Sequence, residues 1–189
     1  MDGLEPPSDA DVITASLHEP ERFAELFDRY FTLIHRYATS RLGAGPADDV
    51  AAETFLAAFD QRKKYDLGRP VAKAWLYGIA TNLISRHWRS EVRLYRALAR
   101  TSPDGPDEGH AERVADRVSA ERLQPDLAAG LATLATGDRD VLLLVACAQL
   151  SYDEVALALG IPPGTVGSRL NRARRHLRQT LEQKVTSHG

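Results

Sequence analysis

Leu150 to Leu181 reads LSYDEVALALGIPPGTVGSRLNRARRHLRQTL, and the order of its parts decides the fold. Ser151 with Glu154 three residues on is a capping box, in which each side chain satisfies an orphan backbone N–H, so a short helix starts there. Val155, Ala156 and Leu159 give that helix an apolar face. Gly160 offers the Cβ-free residue that a left-handed helix stop prefers. Ile161 to Gly164 then form a turn, and Thr165 is the expected cap of the next helix. On a 3.6-residue wheel Val166, Leu170, Ala173, Leu177 and Leu181 share one side, while Ser168, Asn171, Arg172, Arg175 and Arg178 lie on or near the other. The spacing predicts a helix-turn-helix whose second helix packs by one face and leaves a basic face free.

A basic face on a bundle helix is often no more than a solvated surface. Here the order of cap-box helix, glycine turn and capped helix comes with a strong sign of charge: from Gly160 to Gly189 six basic side chains stand against Glu182 alone. Motif and charge together point to DNA. Arginine contacts phosphates or reads guanine through O6 and N7, and Asn or Ser reaches other base edges. Thr165, Ser168, Arg169, Asn171, Arg172 and Arg175 are the candidate contacts.

The formal net charge of the 189 residues is −2, an average over unequal segments. Met1 to Asp28 carries eight acids against Arg22, and Ser85 to Arg100 five arginines against Glu91. Basic surfaces for nucleic acid, separated by acidic surfaces for another partner, fit that pattern. Cys147 is the sole cysteine. It falls in the apolar run VLLLVACAQL, so a buried, inert thiol is expected and a disulfide within the chain is excluded. The six histidines form no i, i+4 pair with one another, so no metal site is expected. Neither a run of membrane-spanning length nor a signal peptide is present, which leads to the expectation of a soluble, cytoplasmic protein.

Upstream, Ser8 or Asp9 caps a short helix through Leu17. From Glu21 a long helix places Phe23, Leu26, Phe27, Tyr30, Ile34, Tyr37, Ala38 and Leu42 at intervals of three and four, a core face, and ends at Gly43 and Gly45. Pro46 sits in the first turn of the next, with Asp48 and Asp49 where acids complement the helix dipole. Val50, Thr54, Leu56, Ala57 and Phe59 give this helix an apolar surface, and Asp48, Asp49 and Glu53 are displayed on another strip. QRKKYDLGR at Gln61 to Arg69 is a loop whose basic and aromatic side chains would serve an unstacked base or a plain surface turn equally. Pro70 is the expected start of a third long helix running to Arg100. In it Trp75, Leu76, Ile79, Ala80, Leu83 and His87 face inward, Ser85, Trp88 and Arg89 outward, and Asn82 and Arg86 lie at the flank. An outward Trp beside Arg favours nucleic acid. Thr101 to about Ser119 is acidic, with prolines and glycines and little apolar content, and reads as a flexible linker whose second half, with AERVADRVSAERL, has helical character. From Pro125 two apolar helices broken at Gly137 and Asp138 form a packing platform for the helix-turn-helix, with no polar chemistry expected of them. The fold class is all-α: two small helical domains, residues 8–100 and 121–184, joined by an acidic linker at 101–120.

Three motifs, DDVAAETFLAAF at Asp48 to Phe59, AWLYGIATNLISRHWR at Ala74 to Arg89, and the quoted helix-turn-helix, together resemble the sigma factors of bacterial RNA polymerase. The likeness is to the small two-domain extracytoplasmic-function (ECF) group and spans nearly everything after Glu21. It implies that Asp48, Asp49, Glu53 and Phe55 dock on the clamp of the largest polymerase subunits. It implies that Lys63, Lys64, Tyr65, Asn82, Ser85, Arg86, Trp88 and Arg89 engage the minus-10 element and its melted strand. The recognition helix would read the minus-35 element in the major groove, with the flap of the second-largest subunit as a further contact. Two positions depart from the family pattern: Ser85, where Asp is frequent, and Gly167, where a basic residue is frequent.

The resemblance implies recruitment and strand separation without catalysis. The sequence itself holds no nucleophile, base and oxyanion-donor constellation and no phosphate-binding glycine loop, so no cofactor is expected. Core polymerase, promoter DNA and an anti-sigma protein clamped on the same surfaces are the implied partners. Two alternatives stay open: a stand-alone helix-turn-helix regulator binding operators without polymerase, and a helical interaction protein that binds no DNA.

Overall fold

The computed structural model describes residues 6–69, 71–100 and 125–187, with the backbone alone at Trp88 and at 183–187. The described residues are helical apart from turns, in agreement with the all-α reading. Expectations about the linker at 101–120, the AERVADRVSAERL segment before Pro125 and the role of Pro70 lie outside them.

Helix α1 (Asp9–Ser16) starts from a capping box: Ser8 Oγ accepts from the Asp11 N–H at 3.2 Å and Asp11 accepts from the Ser8 N–H at 3.1 Å. Asp9 is buried and accepts from Arg29 Nη1 (2.8 Å), Tyr30 Oη–H (2.6 Å) and the Ala72 N–H (2.7 Å), which ties α1 to two other parts of the chain. A 3-10 turn, Pro20–Phe23, leads into α2 (Ala24–Leu42). Gly43, at φ +80°, makes the tight reversal into α3 (Ala44–Gln61), because L side chains rarely adopt that conformation. Pro46 thus lies in the first turn of α3, as its sequence position suggests. A second 3-10 turn, Arg62–Lys64, follows.

The long third helix expected from Pro70 to Arg100 is two helices, α4 (Lys73–Arg86) and α5 (Trp88–Leu98), hinged at His87. No glycine or proline marks the break. Its cause is tertiary: α5 turns Glu91, Val92 and Tyr95 inward, and Tyr95 Oη–H donates to the Ser40 carbonyl at 3.2 Å. That phase differs from the inward phase of α4, and His87, expected inside, is exposed. The C-terminal half comprises α6 (Pro125–Thr133), α7 (Thr136–Ala146), α8 (Tyr152–Leu159) and α9 (Pro163–Ser187). Helices α6, α7 and α8 all pack on α9, as the platform reading anticipates.

The two halves meet face to face, α4 against α8 and α5 against α6. At Gly78 the approach is closest: a Cβ there would lie 2.4 Å from the Ala158 carbonyl oxygen. Beside it, α7 contributes what the sequence did not announce, a pair of buried charges. Arg41 on α2 is fully buried; it donates to Tyr37 Oη and Asp140 at 2.7 Å each and pairs through Nε with Glu91 of α5. Arg139 donates to the Leu131 carbonyl at 3.0 Å and faces Glu91 Oε2 across 3.3 Å as an ion pair without hydrogen-bond geometry. Desolvation pushes the Asp140 carboxyl above its ordinary range despite the pull of Arg41. The expectation that α6 and α7 carry no polar chemistry is therefore corrected, since an apolar run read as a platform hides Asp138, Arg139 and Asp140 near its start. Cys147 is also corrected. It lies just past the end of α7 and is exposed, while Ala148 and Leu150 beyond it take the buried positions. Partial desolvation of the sulfur still raises its thiol above the ordinary value.

Candidate nucleic-acid and protein-docking surfaces

Local chemistry sets the helix-turn-helix. The Ser151 N–H donates to Glu154 Oε2 at 2.7 Å and the Glu154 N–H to Ser151 Oγ at 3.3 Å. Gly160 takes the left-handed conformation at φ +62°, and the Ile161 N–H returns to the Ala156 carbonyl at 3.0 Å, closing α8. Helix α9 opens at Pro163, two residues before the expected Thr165 cap. Proline is at home there, since its missing N–H would be unpaired anyway. Val166, Leu170 and Ala173 are buried and Leu177 packs against the core, whereas Leu181, the last residue of the expected apolar stripe, is 37% exposed.

Ser168, Asn171, Arg172 and Arg175 are exposed on α9, with Thr165 and Arg169 half-buried beside them. Arg172 is not loose. Its Nε and Nη2 donate to the two carboxylate oxygens of Asp138 at 2.5 and 2.6 Å, and that carboxylate raises the guanidinium further above its ordinary value. Arg169 lies over Gly137, where an added Cβ would come within 2.8 Å of its Nη1. Both arginines thus rest on the start of α7.

In the other basic region Lys63 and Lys64 are exposed in the 3-10 turn. Tyr65 is turned in: 8% exposed, its ring lies 4.9 Å from Trp75 and its hydroxyl donates to the Arg69 carbonyl at 2.7 Å. It shapes this loop and does not present a face to a base. On α4, Asn82 and Arg86 are exposed, and Ser85 is half-buried with its hydroxyl donating to the Thr81 carbonyl at 2.9 Å. Arg89 is exposed at the start of α5, and the Trp88 side chain lies outside the described residues.

Along α3, Asp48, Asp49 and Glu53 are all exposed. Asp48 pairs with His35 Nε2 at 2.6 Å, and Glu53 Oε1 lies 3.3 Å from Arg86 Nη1, so the acidic strip borders the basic face of α4. Phe55 differs from its neighbours: it is 5% exposed, covered by Phe27, whose ring lies 5.0 Å away edge-on. The apolar part of the strip is made instead by Phe27, 40% exposed, and Leu56, 62% exposed, with Phe31 stacked 4.6 Å from Phe27. The sequence pattern puts Phe27 in the core and Leu56 on a general apolar surface. The i, i+4 repeat of Phe27, Phe31 and His35 was the available signal, but a repeat cannot say which apolar face stays uncovered.

Among the described residues no group of His, Cys, Asp and Glu is arranged to hold a metal ion, and no helix is long and apolar enough to cross a membrane.

Comparison with known proteins shows the family. The Sigma-70 region 2 model matches residues 26–94, from α2 into α5, and the Sigma-70 region 4 model matches 126–177, from α6 into the helix-turn-helix. ECF RNA polymerase sigma factor SigL of Mycobacterium tuberculosis is 34% identical over 176 residues, 92% of this chain and 97% of the relative. ECF RNA polymerase sigma factor SigW of Bacillus subtilis is 30% identical over 170 residues, 86% and 90% of the two chains. Among solved structures, CnrH in complex with the cytosolic domain of CnrY superposes with a TM-score of 0.64 at 29% identity, covering 93% of this chain and 99% of that one. With both sigma regions matched in order and relatives aligned over nearly their whole length, the chain belongs to the sigma-70 family as an ECF RNA polymerase sigma factor.

Proposed function

We propose that the chain works as two units, residues 8–100 and 121–184, that act together on one promoter while held by core RNA polymerase. The observation that carries this reading is the pairing of two separate basic helical faces with an adjoining acidic and aromatic strip. On α9, Thr165, Ser168, Arg169, Asn171, Arg172 and Arg175 enter the major groove of the minus-35 element, and Arg169 and Arg175 add phosphate contacts that fix register. Lys63, Lys64, Asn82, Ser85, Arg86, Trp88 and Arg89 hold the minus-10 strand, where protein pockets for unstacked bases offset the cost of opening the duplex. Asp48, Asp49 and Glu53, together with Phe27 and Leu56, meet the clamp of the largest polymerase subunits, and the C-terminal unit meets the flap of the second largest. No step in this work breaks or makes a covalent bond, so the chain is a specificity subunit and not an enzyme. It acts in the cytoplasm, where core polymerase is. An anti-sigma protein is a further proposed partner, supported by the likeness to CnrH, whose structure contains the cytosolic domain of CnrY.

Reconstitution tests this. Full chain plus core polymerase should start transcripts at a defined set of promoters on fragmented genomic DNA, and neither component should do so alone. Binding of the free chain to palindromic operators, with no effect on polymerase, would instead establish a stand-alone regulator. Reversing Asp49 or Glu53 to Lys should reduce co-purification with core enzyme; undiminished recovery of both variants would remove α3 from the docking surface.

A further inference from the structure

We propose that Asp138, outside the recognition helix, is a positioning residue that aims Arg172 at a guanine in the upstream promoter element. The inference rests on the promoter-reading function above and assigns one base identity within it. Arginine has five N–H donors in a planar fork. Asp138 takes two of them, Nε–H and one on Nη2, at 2.5 and 2.6 Å, which occupies the side edge of the fork. The end edge, a second Nη2–H and a parallel Nη1–H, is left over. Two parallel donors at that spacing match the O6 and N7 acceptors that guanine alone presents together in the major groove.

Exposure separates this from an ordinary helix tie. The Asp138 side chain is 5% exposed and fixed in the first turn of α7, whereas Arg172 is 63% exposed on the outward face of α9. The carboxylate is therefore the rigid partner and the guanidinium the displayed one. An unheld arginine would lose side-chain freedom on binding and would meet a phosphate as easily as a base. A held one has already lost that freedom and has one direction in which to donate. Gly137 permits the arrangement, since Arg169 lies across the spot where a side chain would be.

The test uses the full chain with core polymerase on a promoter library randomised across the upstream element, with transcripts counted by sequence. Wild type is expected to show one base pair at which replacing G·C costs about tenfold or more in initiation. Asp138→Asn, which accepts through one oxygen only, and Arg172→Lys, which keeps charge but loses the fork, are each expected to flatten that position to under about threefold. Preferences elsewhere in the element should be unchanged, and the double variant should be no flatter than either single one. Asp138→Glu keeps the charge but shifts the carboxylate by a methylene, so it should also flatten the position if aim matters, and it serves if the Asn variant does not fold. A uniform loss over all sequences, the mark of a phosphate contact or a structural tie, overturns the proposal. So does an unaltered base profile in the Asp138 variants. If wild type initiates with no upstream preference at all, the promoter-reading function falls and this inference with it, a result distinct from a preference that ignores Asp138.

Discussion

Leu56 shows how much one side chain can reveal about a surface. A leucine 62% exposed, three residues after Glu53 on α3, costs little to remove for folding but much for a partner that covers it. Leu56→Asp is therefore expected to leave the melting temperature within a degree or two and to weaken association with core polymerase by about tenfold or more, roughly 1.4 kcal/mol. Titration of labelled chain with core enzyme measures the second and a thermal melt the first; equal affinity for both proteins would mean that the strip is not covered in the complex. Phe55→Ala should give the opposite balance. Its ring is buried beneath Phe27, so the loss is one of core packing, about 3 kcal/mol or more.

At the scale of elements the consequential contact is α4 on α8. Because the atom facing Gly78 is a backbone carbonyl, a methyl there cannot be absorbed by a side-chain rotation. Gly78→Ala is expected to weaken the contact by about 1–3 kcal/mol and to loosen the two halves while leaving helix content unchanged. Small-angle scattering and circular dichroism read the two quantities; an unchanged radius of gyration would show that the halves are held elsewhere. This contact also marks where reading from sequence stops. Capping boxes at Ser8 and Ser151 and the left-handed stop at Gly160 are local chemistry, so the sequence announced them. The break at His87 and the buried pairs of Arg41 and Arg139 arise only when helices distant in sequence meet, and no periodicity in one helix reports its neighbour. The recognition-helix residues were legible because an amphipathic wheel separates buried from exposed positions. Tyr65 was not, since whether a loop aromatic faces in or out depends on Trp75 across the loop. Asp138 was visible only as a break between helices.

For the whole molecule, five of the six tyrosines sit where burial disfavours the phenolate. Tyr37, Tyr65 and Tyr77 are pushed up to about 12, and Tyr30 and Tyr95 higher still. An unfolded chain loses these protons near pH 10. The folded form then binds more protons than the unfolded one, so their contribution to stability is complete below about pH 10 and falls as the pH rises toward about 12. Ultraviolet titration should show the native phenols ionising later than those of the chain in denaturant, with denaturation midpoints dropping over the same interval. Coincident titration curves would mean that these rings are solvated.

Promoter geometry adds a demand on the same body. Elements centred about 25 base pairs apart are separated by roughly 85 Å of duplex at 3.4 Å per pair, while a compact chain of this length is only about 40 Å across. Reading both at once requires the α4 and α8 faces to part. The four buried charges behind that contact divide evenly when they do: Arg41 leaves with Glu91, and Arg139 leaves with Asp140, its neighbour on the same helix. Neither departing surface is stranded with a net charge, but the Arg41–Asp140 and Arg139–Glu91 pairs that join the two halves are broken, so added salt eases the parting as well as competing with every phosphate contact. Ionic strength thereby pulls two ways, loosening the closed body while weakening its grip on DNA.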